Sequence, residues 1–258
     1  MNSPQENSML KTNKTTIRFG GLCAVNELTM EVNKGEIFGL IGPNGAGKTT
    51  IFNLLTGVYE PTSGEIHFNG QRIDGLRPYQ IAARGVSRTF QNIRLFPSMT
   101  VLDNVMTACH IHMGQRLIDA VLRTPKFIQD EKKHRDYCFE LLEIFDLARF
   151  SDEGGTSLPY GSQRRLEIVR ALATRPQLLL LDEPAAGMNP SEQEDLMHLI
   201  KQIRDRFGLT ILLVEHNMKV VMGVCERIQV VDYGKTIALG LPHEIKNDPK
   251  VIEAYLGD

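Results

Sequence analysis

The sequence predicts an α/β fold in which short buried strands alternate with amphipathic helices. Strand-length apolar runs occupy residues 36–41, 178–181 and 210–214, and segments with helical spacing of apolar residues lie between them. The first of these runs leads into a glycine-rich stretch at 42–50, and a helical pattern begins where the glycines end. A strand, a glycine-rich loop and a helix in this order are typical of a phosphate-binding core.

The residue types of the glycine-rich stretch suit a triphosphate. Glycine permits backbone angles and close approaches that a Cβ would forbid, so several N–H groups can face one anion. Lys48 offers a full positive charge to the β- and γ-phosphates, and Thr49 offers a hydroxyl to Mg²⁺. A glycine-rich turn before a core helix is the alternative, but the full spacing with Lys-Thr favours a nucleoside triphosphate site. We expect this site to be lined by Gly42, Pro43, Asn44, Gly45, Ala46, Gly47, Lys48, Thr49 and Thr50.

Length and charge limit the function classes. The chain has 258 residues, enough for one large domain or two small ones. Lys and Arg total 29 against 31 Asp and Glu, a formal net charge of −2. This balance excludes a global basic field, so we expect no nucleic-acid partner. The cysteines are scattered singly, which suits reduced thiols in a cytosolic compartment.

The N-terminus and the hydropathy pattern bear on targeting. The first residues lack the charged start and the apolar core of a secretory signal. We expect residues 1–13 to form a disordered tail ahead of a domain at 14–258. No apolar run approaches the roughly 18 residues that span a bilayer. Any membrane role is therefore expected to depend on a partner protein.

An antiparallel strand layer is predicted ahead of the glycine-rich loop and after its helix. Residues 15–32 alternate loosely around a Gly20-Gly21 turn, and residues 65–73 form a hairpin with Asn69-Gly70 as its turn. Phe19 is the aromatic residue of the first pair, and an exposed aromatic ring beside a nucleotide site can stack on the base. Packing of Phe19 in the core is an equally consistent interpretation.

The middle of the chain is predicted to be helical. Residues from about 106 to 156 lack strand-like runs and contain helical patterns. We interpret this region as a helical subdomain, about 92–175, inserted into the α/β core. A strong helix begins near Leu158–Gln163, and Pro176 lies past its end.

Polar residues follow the predicted core strands at the point where each strand ends. Asp182 and Glu183 follow a fully apolar run, where an ionised group needs a cation or hydrogen bonds. Mg²⁺ bridging phosphates would provide such a cation. Because ligands bind at the carboxyl ends of strands in open α/β sheets, we expect the site to include Gln91, Asp182, Glu183 and His216. An acidic turn and a packed histidine are the purely structural alternative.

Taken in order, these motifs resemble the ATP-binding subunit of ATP-binding-cassette transporters, over about residues 15–256. More narrowly, several segments resemble the ATPase subunit of bacterial importers for leucine, isoleucine and valine. These segments are Arg18-Phe-Gly-Gly21, Leu158-Pro-Tyr-Gly161, Arg164-Arg-Leu-Glu-Ile168, Asp182-Glu-Pro-Ala-Ala-Gly-Met-Asn189 and Ala254-Tyr-Leu-Gly257. The resemblance implies a phosphate-loop NTPase core with an antiparallel β layer and an inserted helical subdomain, with ATP and Mg²⁺ as cofactors.

The resemblance also implies a role for each residue that matches a family motif. Phe19 and Val25 contact the nucleotide, and Lys48 and Thr49 bind phosphate and metal. Asp182 holds Mg²⁺ through water, and Glu183 is the general base on the attacking water. His216 contacts the γ-phosphate. Gln91 contacts Mg²⁺ or water and senses the membrane partner.

The family closes two such subunits head to tail, so that the signature helix of one completes the ATP site of the other. The usual signature is Leu-Ser-Gly-Gly-Gln, whereas this chain has Leu158, Pro159, Tyr160, Gly161 and Ser162. Pro159 has no hydroxyl for the phosphate, and Asn189 replaces the usual aspartate. We therefore expect Gly161 and Ser162 to contact the nucleotide of the partner subunit. We also expect a heterodimer with a related ATPase, with a homodimer as the alternative.

Further partners follow from the same resemblance. They are two transmembrane permease subunits and, indirectly, a periplasmic or extracellular binding protein, with the chain at the cytoplasmic face of the bacterial cell membrane. We expect an exposed apolar pair, Leu95 and Phe96, to help form the permease dock. The alternatives are the ATPase of a related lipopolysaccharide exporter, that of a urea or amide importer, and a soluble cassette-type assembly scaffold.

Overall fold

The structure is a computed structural model that describes residues 7–109, 111 and 124–256. The chain divides into two compact units. The first contains residues 1–88 and 177–258, and the second contains residues 89–176. The sequence predicts the helical insert at about 92–175.

The described part of the first unit before residue 89 contains six strands and two helices. Its elements up to residue 88 are β1 (Ser8–Phe19), β2 (Leu22–Asn33), β3 (Ile37–Ile41), α1 (Lys48–Leu55), β4 (Ser63–Phe68), β5 (Gln71–Arg72), α2 (Pro78–Ala83) and β6 (Val86–Arg88). The described α-helices of the second unit are α3 (Val101–Cys109), α4 (Pro125–Ile144) and α5 (Tyr160–Ala173). The first unit then resumes with β7 (Leu178–Asp182), α6 (Pro190–Phe207), β8 (Thr210–Val214), α7 (Met218–Val224), β9 (Arg227–Asp232), β10 (Lys235–Gly240), α8 (Pro242–Asn247) and α9 (Pro249–Leu256).

Four strands form an antiparallel sheet in the order β2-β1-β4-β5. The tight turn between β4 and β5 uses Asn69 and Gly70, both at positive φ, as a two-residue hairpin requires. Strand β1 begins at Ser8, with Leu10 paired to Val32 on one side and to Phe68 on the other. The predicted disordered tail is therefore wrong for residues 8–13, because Met9 and Leu10 are buried in the core and hold this segment in the sheet. Residues 1–6 of that tail lie outside the described residues.

Six strands form the second sheet, in the order β10-β9-β3-β8-β7-β6. All neighbours are parallel except β9 and β10, which form an antiparallel hairpin at one edge. Every residue of β3, β7 and β8 is buried, as expected for parallel strands covered on both faces. In the register, Val214 lies beside both Leu40 and Asp182, so the carboxyl ends of these three strands meet at one edge. This confirms the predicted α/β core.

The second unit is held together by buried polar contacts as well as by apolar packing. Asn104 of α3 is completely buried, and its side chain accepts from the N–H of Phe96 and donates to the Phe96, Met99 and Thr100 carbonyls. This network orders the segment before α3. Leu95 is consequently only 8% exposed, whereas Phe96 is 45% exposed. The prediction of an exposed apolar pair is wrong for Leu95.

Among the described helices, none combines the length and the apolar character that crossing a membrane requires.

Candidate functional site

The glycine-rich loop follows β3 and ends at the first turn of α1. Gly42 has φ 157°, and a Cβ there would lie 2.0 Å from the Val231 carbonyl oxygen. Gly47, at φ 100°, is the residue before α1, and a Cβ there would lie 2.6 Å from the Ala24 carbonyl oxygen. Glycine is therefore needed at both positions, because neighbouring backbone occupies the space of a side chain. Gly234, in the turn between β9 and β10, donates to the Ala46 carbonyl and holds the loop in place.

Lys48 is the first residue of α1, and its side chain contacts the loop. Its Nζ donates to the Gly42 and Pro43 carbonyl oxygens at 2.6 and 2.8 Å, and the residue is only 8% exposed. Burial lowers the pKa of Lys48, and the negative charges of Glu183 and Asp182 oppose this shift. The fold thus brings Lys48 close enough to both carboxylates for their charges to interact.

The remaining loop residues differ in exposure. Asn44, Gly45 and Thr49 are exposed, Thr50 is half-buried, and Ala46 is buried. The N-terminus of α1 adds its N–H groups and its positive dipole end to the loop. This arrangement of exposed backbone and a fixed ammonium is suited to a polyphosphate.

Phe19 and Val25 are both predicted to contact the nucleotide, but only Phe19 has an exposed side chain. Phe19 is 44% exposed at the end of β1, and its ring forms an edge contact with Tyr59, with centroids 5.2 Å apart. Val25 is completely buried in the apolar core of the first unit. Its side chain therefore supports the sheet and has no exposed surface to present to a nucleotide.

The two carboxylates lie at the end of β7. Asp182 is 3% exposed and its Oδ2 accepts from Arg88 Nη2 at 2.7 Å. Glu183 has φ 48°, a strained conformation for a non-glycine residue, and its N–H donates to the Val214 carbonyl at 2.8 Å. His216 follows β8, and its Nδ1 lies 3.6 Å from Glu183 Oε2. Glu183 and the exposed His216 thus lie side by side at the carboxyl edge of the sheet.

Glu215 is a site residue that sequence reasoning did not single out. Its side chain is completely buried; Oε1 accepts from the Ala185 N–H at 2.7 Å, and Oε2 accepts from the N–H groups of His216 and Asn217. Burial raises the pKa of Glu215. It therefore ties the loop after β7 to the loop after β8. Its position directly after a strand was a signal in the sequence, but its partner Ala185 lies 30 positions away and could not be predicted.

Three predicted site residues belong to the second unit. The carbonyl oxygen of Gln91 accepts from Arg164 Nη2 at 2.5 Å. Gly161 and Ser162 lie in the first turn of α5, with Pro159 immediately before the helix. The signature segment therefore begins a helix, as predicted, and its first turn contains a hydroxyl at Ser162.

Asn189 provides the N-cap of α6. Its side-chain oxygen accepts from the N–H groups of Ser191 and Glu192, and the Glu192 carboxylate accepts from the N–H of Asn189. Aspartate and asparagine cap helices about equally well. The replacement of the usual aspartate therefore preserves this local structure.

The donor set fits Mg²⁺. Across the described ranges, no group of three or more His, Cys, Asp or Glu side chains gathers as a metal cluster. Mg²⁺ at phosphoryl-transfer sites takes one or two protein oxygens and completes its shell with phosphate and water. The exposed hydroxyl of Thr49 and the carboxylate of Asp182 are hard oxygen donors of this kind.

Comparisons with known proteins agree with this geometry. The model of the ABC transporter family matches residues 25–186, and one described as branched-chain amino acid ATP-binding cassette transporter matches residues 235–258. Over 250 residues the chain is 46% identical to the high-affinity branched-chain amino acid transport ATP-binding protein BraF of Pseudomonas aeruginosa, with 97% of this chain and 98% of BraF covered.

A second relative and a solved structure extend the comparison. The lipopolysaccharide export system ATP-binding protein LptB of Haemophilus influenzae is 38% identical over 234 residues, with 91% of each chain covered. The crystal structure of the ADP conformation of MJ1267, an ATP-binding cassette of an ABC transporter, has a TM-score of 0.85 and 30% identity, and covers 97% of this chain and 99% of its own. The chain belongs to the ABC transporter family and carries its ATPase domain.

Proposed function

We propose that this chain is the ATP-hydrolysing subunit that powers import of branched-chain amino acids through a membrane transporter. The observation that carries the proposal is the similarity to BraF, at 46% identity over 97% of the chain. The C-terminal match at residues 235–258 to a family described by the same substrate supports it. The lower identity of 38% to LptB favours amino-acid import over lipopolysaccharide export.

The residues of the first unit divide the chemistry between them. The backbone N–H groups of the loop and the ammonium of Lys48 bind the triphosphate. Thr49 and Asp182 hold Mg²⁺, which neutralises phosphate charge when bound. Glu183 accepts a proton from water as the water oxygen bonds to the γ-phosphorus and the bond to ADP breaks. His216, beside Glu183, contacts the γ-phosphate, and Phe19 stacks on the base.

The second unit serves the partners. Gly161 and Ser162 at the start of α5 complete the ATP site of a related ATPase subunit in a heterodimer. Gln91 contacts the cation or the attacking water and senses the permease. Two permease subunits bind the chain at the cytoplasmic face of the bacterial cell membrane. A binding protein outside the membrane selects the substrate.

A transport assay separates the remaining alternatives. We would delete the gene, measure uptake of labelled leucine, isoleucine, valine and urea by whole cells, and restore the gene on a plasmid. Loss of uptake of the three amino acids alone, reversed by the plasmid, is the expected result. Loss of urea uptake alone, or a defect in lipopolysaccharide export with normal uptake, would refute the substrate assignment.

A further inference from the structure

Arg88, the last residue of β6, makes a set of contacts that the proposed chemistry does not use. Its Nη2 donates to Asp182 Oδ2 at 2.7 Å, and its Nη1 donates to Asn53 Oδ1 at 2.7 Å. The guanidinium carbon lies 5.2 Å from the centre of the Phe52 ring. The side chains of Arg88 and Asp182 are only 8% and 3% exposed. One guanidinium therefore joins the strand that ends in Asp182 to the helix that begins at Lys48.

This arrangement restricts the carboxylate of Asp182. A buried carboxylate requires a counter-charge or hydrogen bonds, and a charge-assisted bond to arginine has a defined direction. Arg88 itself is fixed, because its Nη1 donates to Asn53 and its guanidinium packs against the Phe52 ring. Both Asn53 and Phe52 belong to α1, so this helix holds Arg88 in the position from which it contacts Asp182.

We propose that Arg88 is a positioning residue of the ATP site, which orients Asp182 through Oδ2 and so determines how much a divalent cation strengthens nucleotide binding. The inference rests on the proposed function, in which Asp182 holds Mg²⁺. A merely structural ion pair would affect the stability of the protein without changing the dependence of nucleotide binding on the cation.

The chain contains a matched pair for comparison. Arg72 and Asp74 form an ion pair at 2.8 Å between Nη2 and Oδ2, close to the 2.7 Å of the Arg88 pair. It lies at the edge of the antiparallel sheet, and the Arg72 side chain is 56% exposed. Arg72→Met removes the same chemical contact from a place where no phosphate or cation is expected to bind.

The experiment measures ATP affinity of the purified full-length chain by calorimetry, once with EDTA and once with Mg²⁺. The dissociation constant in EDTA divided by that in Mg²⁺ gives the factor by which the cation strengthens binding. In Arg88→Met we expect the affinity in EDTA to stay within about twofold of wild type. We expect the ratio to fall roughly tenfold, because Asp182 loses the charge-assisted hydrogen bond that orients it toward the cation. Arg88→Lys is expected to give an intermediate ratio, and Arg72→Met the wild-type ratio.

Circular dichroism and thermal unfolding establish that each variant is folded. If Arg88→Met does not fold, Arg88→Lys and Asn53→Ala take its place, and both are expected to lower the ratio. A wild-type ratio in the folded Arg88 variants, or an equal fall in Arg72→Met, would overturn the inference. If the wild-type protein binds ATP neither in EDTA nor in Mg²⁺, the proposed function is refuted instead.

Discussion

Individual charges at the edge of the six-stranded sheet are held partly out of water. Lys48 is the clearest case, because burial lowers its pKa while Glu183 and Asp182 act against that shift. Its ammonium donates to two carbonyl oxygens of its own loop, which fixes the direction of the side chain. A cation placed in this way is prepared for an anion at the loop.

Lys48→Ala is expected to weaken binding of Mg-ATP at least tenfold, since the phosphates lose their principal counter-charge in the loop. Calorimetry on the purified protein measures the change. Lys219→Ala is a suitable control, because the Lys219 ammonium also has a fixed partner, the Glu194 carboxylate at 2.6 Å, but lies exposed on α7. An affinity equal to wild type in Lys48→Ala would mean that the loop has only a structural role.

Glu215 is expected to make the stability of the protein depend on pH. Burial raises its folded pKa above the ordinary value of 4.5, so its contribution to stability is fully present below pH 4.5 and is lost as pH rises through the folded pKa. Glu215→Gln removes this titration. We expect the unfolding free energy of wild type minus that of Glu215→Gln, measured in urea, to fall as pH rises from 4.5 to neutral. A difference that is constant or rises with pH would contradict this assignment. The buried Glu36 and Glu167 are common to both proteins and cancel.

The phosphate loop depends on close contact between backbone segments. Gly42→Ala places a Cβ 2.0 Å from the Val231 carbonyl oxygen at a backbone φ of 157°. We expect a loss of about 2 to 4 kcal/mol in unfolding free energy, together with loss of ATP binding. The reason is that β9, which contains Val231, and the loop must separate to admit the methyl group. Gly21→Ala is the control, since a Cβ at Gly21 meets no atom within 4 Å. Similar unfolding curves for both variants would show that the loop tolerates a side chain.

Local sequence patterns predicted the elements whose determinants lie close together in the chain. The loop at 42–50, the Asn69-Gly70 turn and the apolar strands all agree with the structure. The cap at Asn189 preserves a helix start even though the residue differs from the family pattern. In each case a few consecutive residues determine the backbone conformation.

Contacts between distant parts of the chain could not be predicted in this way. Arg88 and Asp182 are 94 positions apart, and Glu215 and Ala185 are 30 apart. Leu95 looks like a surface residue in sequence but is buried because Asn104 orders the segment around it. Residues 8–13 mix polar and apolar types, and only their pairing with β2 and β4 shows that they form a strand. Such outcomes depend on tertiary packing rather than on local preference.

The central claim for the whole molecule is that ATP hydrolysis at Glu183 drives amino-acid import. The most direct measurement is made on the complete transporter, reconstituted in vesicles with its permeases and partner ATPase, for wild type and Glu183→Gln. Phosphate release and uptake of labelled leucine are followed together, with Glu194→Gln on the exposed face of α6 as the control. We predict that Glu183→Gln retains ATP binding but loses both activities at the site this chain provides, because the proton acceptor is gone. Phosphate release and leucine uptake at near wild-type rates in Glu183→Gln would contradict the account.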